Sequence, residues 1–210
     1  MPTSRATLVA PEPFGGEEEA KAWLAGLRRE GESAMEELDT AVRRLNRALH
    51  AQRVASGDSY VRDVAPSQAL VTRMGYASGD EAAEGRFAEA WELPRERRRT
   101  RRSMEAPEER FAAVLGGREP ALAGEELVLR ARADLDAGRS REAALEARVA
   151  LEALLAELPG ASAALAEQRG SVGDAANAAL RGELGDDLAA ALNEAVQSME
   201  QALKRHRLGG

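Results

Sequence analysis

The chain has 210 residues, of which 44% are hydrophobic and 31% are charged, and its formal net charge is −7. This balance excludes a disordered chain, and the length suits one sizeable domain or a smaller domain with an extension. The absence of cysteine excludes disulfides and thiolate metal sites. No segment approaches the roughly 18 apolar residues of a membrane span, so the sequence predicts a soluble cytoplasmic protein that does not enter membranes.

Aromatic residues and charge are distributed unevenly. All aromatic side chains lie at or before Phe111, and residues 106–210 hold 12 basic and 18 acidic side chains, against 17 and 18 in residues 1–105. Isoleucine is absent and alanine is abundant, which disfavours strands and favours helices. We predict an all-α fold of seven or eight helices in an irregular bundle. Its expected parts are an extended arm (1–15), a helical region with the aromatics (16–118) and a C-terminal Ala/Leu-rich helical region (119–210).

The first helix is predicted from the charges at its two ends. Several prolines indicate that residues 1–15 are extended, with Phe14 anchoring the end of this arm. Three glutamates from Glu17 onward complement the positive end of a helix dipole, and Arg28 and Arg29 complement the negative end. The apolar stripe of this helix comprises Trp23, Leu24 and Leu27.

A longer helix is predicted over residues 33–54 because five apolar residues recur with the heptad spacings 3, 4, 3 and 4. They are Met35, Leu38, Val42, Leu45 and Leu49. Arg43, Arg44 and Arg47 project away from this stripe as a basic face. Two heptads fall short of the three or four that indicate a free-standing coiled coil, so packing within the same chain is favoured.

The middle of the chain allows two interpretations. Residues 66–74 favour a short helix, although part of this segment also suits a strand. A capping box that begins at Ser78 predicts a second helix, which Pro94 would end. Phe87 and Trp91 would stand four residues apart on this helix.

The C-terminal half reads as further helices. Glycine pairs, prolines and apolar periodicity place them at about residues 107–115, 120–137, 140–158 and 186–207. A looser alanine-rich segment precedes the last helix. The apolar stripe of the last helix comprises Leu188, Leu192, Val196, Met199 and Leu203.

The predicted helical hairpin around Gly138 places small residues where its two helices would touch. Ala143 follows this glycine by five residues, and Ala147 and Ala150 follow at four and seven further residues. This spacing lets antiparallel helices approach closely, and residues 121–158 resemble a single tetratricopeptide repeat. The first helix lacks the family's bulky pattern, and no second copy follows at the period of about 34 residues. The apolar residues Leu145, Val149 and Leu151 are expected to face neighbouring elements.

The sequence contains little that indicates catalysis. His50 and His206 are the only histidines, so paired-histidine metal motifs cannot form within one chain. Residues 75–79 are one residue out of register for a serine nucleophile elbow, and no phosphate-binding Gly-x-x-x-x-Gly-Lys loop occurs. We predict no cofactor, no metal and no catalytic residue, and an enzyme is the less favoured class.

The strongest candidate for binding is a run of arginines at residues 95–102, in which one glutamate interrupts six arginines. They are Arg95, Arg97, Arg98, Arg99, Arg101 and Arg102. Arginines bind phosphates through paired hydrogen bonds, and the nearby Trp91 could stack on a base. The acidic remainder of the chain disfavours nucleic acid, so a solvated linker or pairing with an acidic protein partner is preferred.

Two functions from different classes follow, and an enzyme with an unrecognised carboxylate and arginine site is a less favoured third. The first is a non-catalytic helical subunit for protein-protein interaction or assembly, including self-association, as scaffold or accessory protein. The alternative is a nucleic-acid-associated accessory protein that uses the arginine run and the basic face of the heptad-spaced helix.

Overall fold

A computed structural model describes residues 4–94 and 110–209 of the chain. The described residues form an all-α fold with eight helices and one two-stranded sheet, as the composition predicts. The chain divides into two compact units, Met1–Arg98 and Arg99–Gly210. The boundary between the two helical regions that we predicted from the sequence lies between residues 118 and 119.

The predicted arm of the N-terminal unit contains no helix or strand over its described residues 4–16. Helix α1 spans Glu17–Arg29 and helix α2 spans Gly31–Ser56. The ring of Phe14 contacts that of Trp23 on α1, with 5.3 Å between centroids, so Phe14 anchors the arm as expected. A small cluster formed by Leu27, Ala34 and Leu93 is the main apolar contact of this unit.

After α2 the chain forms a 3₁₀ turn (Pro66–Gln68), strand β1 (Arg73–Tyr76), helix α3 (Gly79–Ala83) and strand β2 (Glu89–Glu92). The two strands are antiparallel, with Met74 opposite Trp91 and Gly75 opposite Ala90. The helix favoured for residues 66–74 is therefore wrong. The helix predicted from Ser78 does begin there, but it ends at Ala83, before Phe87 and Trp91.

Two glycines explain why strands replace these helices. Gly85 has a φ of +69°, a left-handed conformation that stops the helix which begins after Ser78. A Cβ atom at Gly75 would lie 2.4 Å from the carbonyl oxygen of Glu89 and 2.9 Å from Cδ1 of Phe87. Glycine thus lets β2 and the Phe87 ring approach β1 closely.

The C-terminal unit contains five helices among its described residues, preceded by a short helical stretch at residues 110–115. They are α4 (Ala123–Asp136), α5 (Ser140–Glu157), α6 (Ser162–Ala166), α7 (Arg169–Arg181) and α8 (Asp186–Gly209). Helix α4 packs on α5, α5 on α7, α7 on α8, and α8 returns to α4. The four long helices therefore enclose one core.

The hairpin of α4 and α5 has the predicted geometry. Gly138 turns the chain with a φ of +73°, and Ala143, Ala147 and Ala150 of α5 are completely buried in the core. Leu151 is buried as well, but Leu145 is 39% exposed and Val149 is 57% exposed. The expectation that these two face neighbouring elements is wrong, because the described residues leave both side chains exposed.

The N-terminus of α4 is held against the end of α5. A Cβ atom at Gly124 would lie 2.7 Å from Cδ2 of Leu154, which is itself fully buried. The carboxylate of Glu157 accepts hydrogen bonds from the backbone N–H groups of Ala123 and Gly124, each at 3.0 Å. This carboxylate satisfies free donors at the positive end of the α4 dipole.

Candidate functional site

The arginines predicted to bind a partner lie outside the described residues. Arg95, Arg97, Arg98, Arg99, Arg101 and Arg102 all fall between residues 94 and 110. Trp91, the seventh predicted site residue, is described on β2, where it is partly buried and packs against the small cluster of Leu27, Ala34 and Leu93. The indole of Trp91 therefore contributes to the packing of the N-terminal unit.

Helix α2 is the most prominent surface feature of the N-terminal unit. Of its five heptad-spaced side chains, Met35 and Leu38 pack against the small apolar cluster. Val42, Leu45 and Leu49 are only half-buried and do not belong to that cluster. The principal neighbours of this long helix within the unit are α1 and the 3₁₀ turn. The predicted packing of the stripe inside the chain is therefore incomplete.

Residues 57–68 return alongside the second half of α2. The side-chain amide of Asn46 donates a hydrogen bond to the carbonyl oxygen of Val64 at 2.9 Å, and its own oxygen accepts one from Val64 N–H at 2.8 Å. The Asn46 side chain therefore forms hydrogen bonds with both the N–H and the carbonyl group of Val64. Large apolar residues of this part of the unit nevertheless remain at the surface, and Tyr60 is 85% exposed.

The charges of α2 are separated along its length. Glu32, Glu36, Glu37 and Asp39 precede Val42, whereas Arg43, Arg44, Arg47 and Arg53 follow it. Within residues 4–94 and 110–209, no ion pair involves the acids at 36, 37 and 39 or the arginines at 43, 44 and 47. The guanidinium of Arg43 instead donates to the hydroxyl of Thr40 at 2.9 Å. These exposed charges therefore form no ion pair among the described residues.

A second charged cluster lies in the C-terminal unit, around Glu125 in the first turn of α4. Glu125 is only 8% exposed and accepts two hydrogen bonds from Arg110, at 2.7 and 2.5 Å. Arg207, near the end of α8, donates to the same carboxylate, and Arg110 also bonds Glu119 at 2.8 Å. Hydrogen bonds from Arg110 hold the pKa of Glu125 below its ordinary value, against the opposing effect of desolvation.

The Glu125 cluster connects three parts of the C-terminal unit. It joins the helical stretch at residues 110–115 to the start of α4 and to the last turn of α8, and His206 lines the same shallow depression. Each charge in it is matched by an opposite one within the cluster. Its arrangement suits an anchor for packing better than a binding site for a charged ligand. Nothing in the sequence pattern indicated this cluster, since its hydrogen-bonded members Glu125 and Arg207 lie 82 residues apart.

In the part of the chain that the structure describes, no group of three or more histidine, aspartate or glutamate side chains is arranged to hold a metal ion. No helix of the described residues is long and apolar enough to cross a bilayer. Comparisons with protein-family models, curated proteins and solved structures found no match.

Proposed function

We propose that the chain is a non-catalytic helical subunit for protein-protein interaction or assembly, and that its N-terminal unit supplies the binding surface. One observation carries this proposal: among the described residues of that unit, more large apolar side chains are exposed than buried. The buried ones are Leu24, Leu27 and Leu93. The exposed ones are Leu8, Val9, Phe14, Val54, Tyr60, Val64, Leu70 and Val71.

The C-terminal unit gives the opposite result when its buried and exposed large apolar side chains are counted. Its described residues bury ten large apolar side chains and expose six. The ten are Val128, Leu151, Leu154, Leu158, Leu165, Val172, Leu192, Val196, Met199 and Leu203. Single exposed apolar residues are ordinary on a protein surface, but groups of them mark interaction sites. The difference between the two units therefore supports a partner for the N-terminal unit.

The experiment compares exposed apolar positions of the two units, Leu70 and Val71 in the first and Leu180 in the second. A Leu70→Ser, Val71→Ser double variant and a control Leu180→Ser variant would be purified as full chains and checked by circular dichroism. We expect affinity capture from the native lysate, together with light scattering, to show an association that the double variant loses at least tenfold. The control should retain it, because Leu180 is equally exposed but lies on α7. A chain that stays monomeric and captures nothing would contradict the proposal.

A second candidate function is that of a nucleic-acid-associated accessory protein. We place it in the cytoplasm, as we do for the first candidate. It is favoured by Arg43, Arg44 and Arg47, which are exposed and form no ion pair with described residues. Phosphate contacts of this kind weaken steeply with salt. Binding to a single-stranded or duplex oligonucleotide that falls by orders of magnitude between low and high salt would support this role. Absence of binding at low ionic strength would end it.

The resemblance of the α4–α5 hairpin to a tetratricopeptide repeat stays a prediction. The buried alanines of α5 support it only as a packing device, since such alanines serve any closely packed antiparallel pair.

A further inference from the structure

In the two-stranded sheet of the described residues, strand β1 has β2 along one edge and no strand along the other. Residues of an antiparallel pair alternate between those whose backbone N–H and C=O groups point to the partner strand and those whose groups point away. The carbonyl of Thr72 accepts the N–H of Leu93, and the carbonyl of Tyr76 accepts the N–H of Ala88. The backbone groups of Thr72, Met74 and Tyr76 are therefore the ones that point to β2.

The backbone groups of Arg73 and Gly75 consequently point to the open edge of β1. Among residues 4–94 and 110–209, the N–H and carbonyl groups of these two residues form no hydrogen bond. A row of such groups at the edge of a sheet is a template on which another extended chain can pair. The open edge of β1 thus offers two donors and two acceptors at the spacing of a β-strand.

The corresponding edge of β2 is partly occupied by the unit itself. Ala90 lies opposite Gly75, so its carbonyl also points out of the strand pair. The guanidinium of Arg28 on α1 donates a hydrogen bond to this carbonyl at 3.3 Å and forms an ion pair with Glu89 at 2.7 Å. In the described part of the chain, no side chain does the same for the open edge of β1.

The open edge of β1 lacks the usual protection against pairing. Proteins guard such edges with lysine, proline or charged side chains that project along the edge. Strand β1 contains neither lysine nor proline, and its one charged side chain, Arg73, reaches across to Glu92 on β2 at 3.2 Å. Val71, two residues before Arg73, is 51% exposed. An added strand would therefore meet free backbone groups and an apolar side chain next to them.

From these observations we infer that β1 binds an extended peptide segment of a partner protein, which adds a third strand to the sheet. This inference rests on the proposed function and specifies how the N-terminal unit would hold its partner. Backbone hydrogen bonds to Arg73 and Gly75 would supply affinity, as in other cases of strand addition. An apolar side chain of the segment would lie beside Val71, since alternate residues of a strand share a face.

The length of the edge favours a peptide segment over a second copy of this chain. Strand β1 has four residues and extends about 13 Å. Two folded copies that met only through this edge would bury far less than the roughly 1,200 Å² of a specific interface between folded proteins. An extended segment needs no larger contact surface, and its binding should be weak and reversible.

The first test places proline at the open edge. Proline has no N–H, and at position 73 it would remove only an outward group, so the hydrogen bonds between β1 and β2 should persist. Peptides would be selected on the full chain from a phage-displayed library of random decapeptides. By fluorescence anisotropy they should bind Arg73→Pro at least about tenfold more weakly than the wild type.

The matched control is Arg73→Ala. It also loses the ion pair with Glu92 but keeps the outward N–H, so it should bind the selected peptides within about twofold of the wild type. Circular dichroism and denaturant unfolding would check that both variants fold. Equal binding to the two variants, or a library from which the wild type enriches no peptide, would overturn the inference.

The second test leaves the chain unchanged. Only alternate amides of an added strand face its neighbour, so N-methylation of a selected peptide should abolish binding at every second residue and be tolerated between them. Peptide binding should also slow amide hydrogen exchange at Arg73 and Gly75, whereas Met74, already bonded to β2, should exchange slowly in the free chain. A uniform effect of N-methylation, or unchanged exchange at Arg73 and Gly75, would overturn the inference.

These outcomes separate the inference from the proposed function. If Leu70→Ser, Val71→Ser loses the association with the native partner while Arg73→Pro keeps it, the interaction role stands and strand addition fails. If the chain neither captures a partner nor binds a peptide, both fail. Loss of the association in Arg73→Pro but not in Arg73→Ala supports both. Dimers of the wild type that Arg73→Pro abolishes would identify a second copy as the occupant and overturn the inference.

Discussion

The two units of this protein bury their apolar side chains to different extents. In the C-terminal unit four long helices share a core whose alanines, including Ala147 and Ala150, are completely buried. In the N-terminal unit the longest helix has few neighbours and a half-covered apolar stripe. Alanine contributes little apolar area by itself, but it allows leucines from neighbouring helices to approach and be buried. The apolar surface that is not fully covered therefore belongs to the aromatic-rich N-terminal unit.

The two units should differ most in the free energy of unfolding that is lost when a leucine is replaced by alanine. Leu154→Ala should lower the free energy of unfolding by about 2–5 kcal/mol, because Leu154 is fully buried and lies against Gly124. The half-buried Leu45→Ala in α2 should cost only about 1 kcal/mol. Denaturant unfolding followed by circular dichroism measures both, and equal losses would show that the two units are packed alike.

A second prediction concerns the buried carboxylate Glu125 of the C-terminal unit. Glu125→Gln should lower stability at pH 7 by about 1–3 kcal/mol, because it leaves Arg110 and Arg207 around a neutral amide. The exposed neighbour Glu126→Gln, which loses only a surface ion pair with Arg130, should cost less than about 0.5 kcal/mol.

The pH dependence of these variants has a definite sign. Since the folded pKa of Glu125 is lowered, its stabilising contribution is complete above the unfolded value of about 4.3 and is lost as the pH falls through the folded value. The difference between wild type and Glu125→Gln should therefore shrink below about pH 4. A difference that stays constant down to pH 2 would contradict the role of the charge.

The third prediction uses two helical glycines with opposite surroundings. Gly124→Ala should destabilise the protein by about 1–2 kcal/mol, because its Cβ would meet Leu154 at 2.7 Å and Leu154 is fully buried. At Gly173 in α7, no described atom beyond the helix's own nearby backbone lies within 4 Å of an added Cβ. Gly173→Ala should therefore stabilise the protein by up to about 1 kcal/mol, since alanine favours helix. Thermal unfolding of the two variants should shift in opposite directions.

The smallest effect is expected in the N-terminal unit. Asn46→Ala removes both hydrogen bonds to Val64 and should cost about 1 kcal/mol. Its clearer consequence should be faster amide exchange in residues 57–68, which depend on this side chain for their position along α2. Exchange in α5 should be unchanged, and Gln52→Ala, at an exposed position of the same helix, is the matched control. Unchanged exchange in residues 57–68 would show that other contacts hold the segment.

The accuracy of the sequence analysis depended on the length of each element. Helices α1, α2, α5 and α8 were predicted because apolar periodicity and end charges extend over several turns. The strands β1 and β2 were missed because four residues are too few to show a period of two, and Phe87 and Trp91 happen to stand one helical turn apart. The conformation of Gly85 and the close approach at Gly75 decide that region, and neither is visible without the partner strand.

The candidate site also combines features that the sequence predicts with features that depend on the tertiary structure. The heptad stripe and the charge separation of α2 are properties of the sequence, because both follow from residue spacing on a helix. Whether the stripe is covered was decided only by the tertiary structure, since α1 and the returning segment reach just part of it. The Glu125 cluster likewise exists only after folding, because its arginines come from residues distant in the chain. Local spacing determines which faces a helix presents, whereas burial depends on neighbours that only the assembled fold supplies.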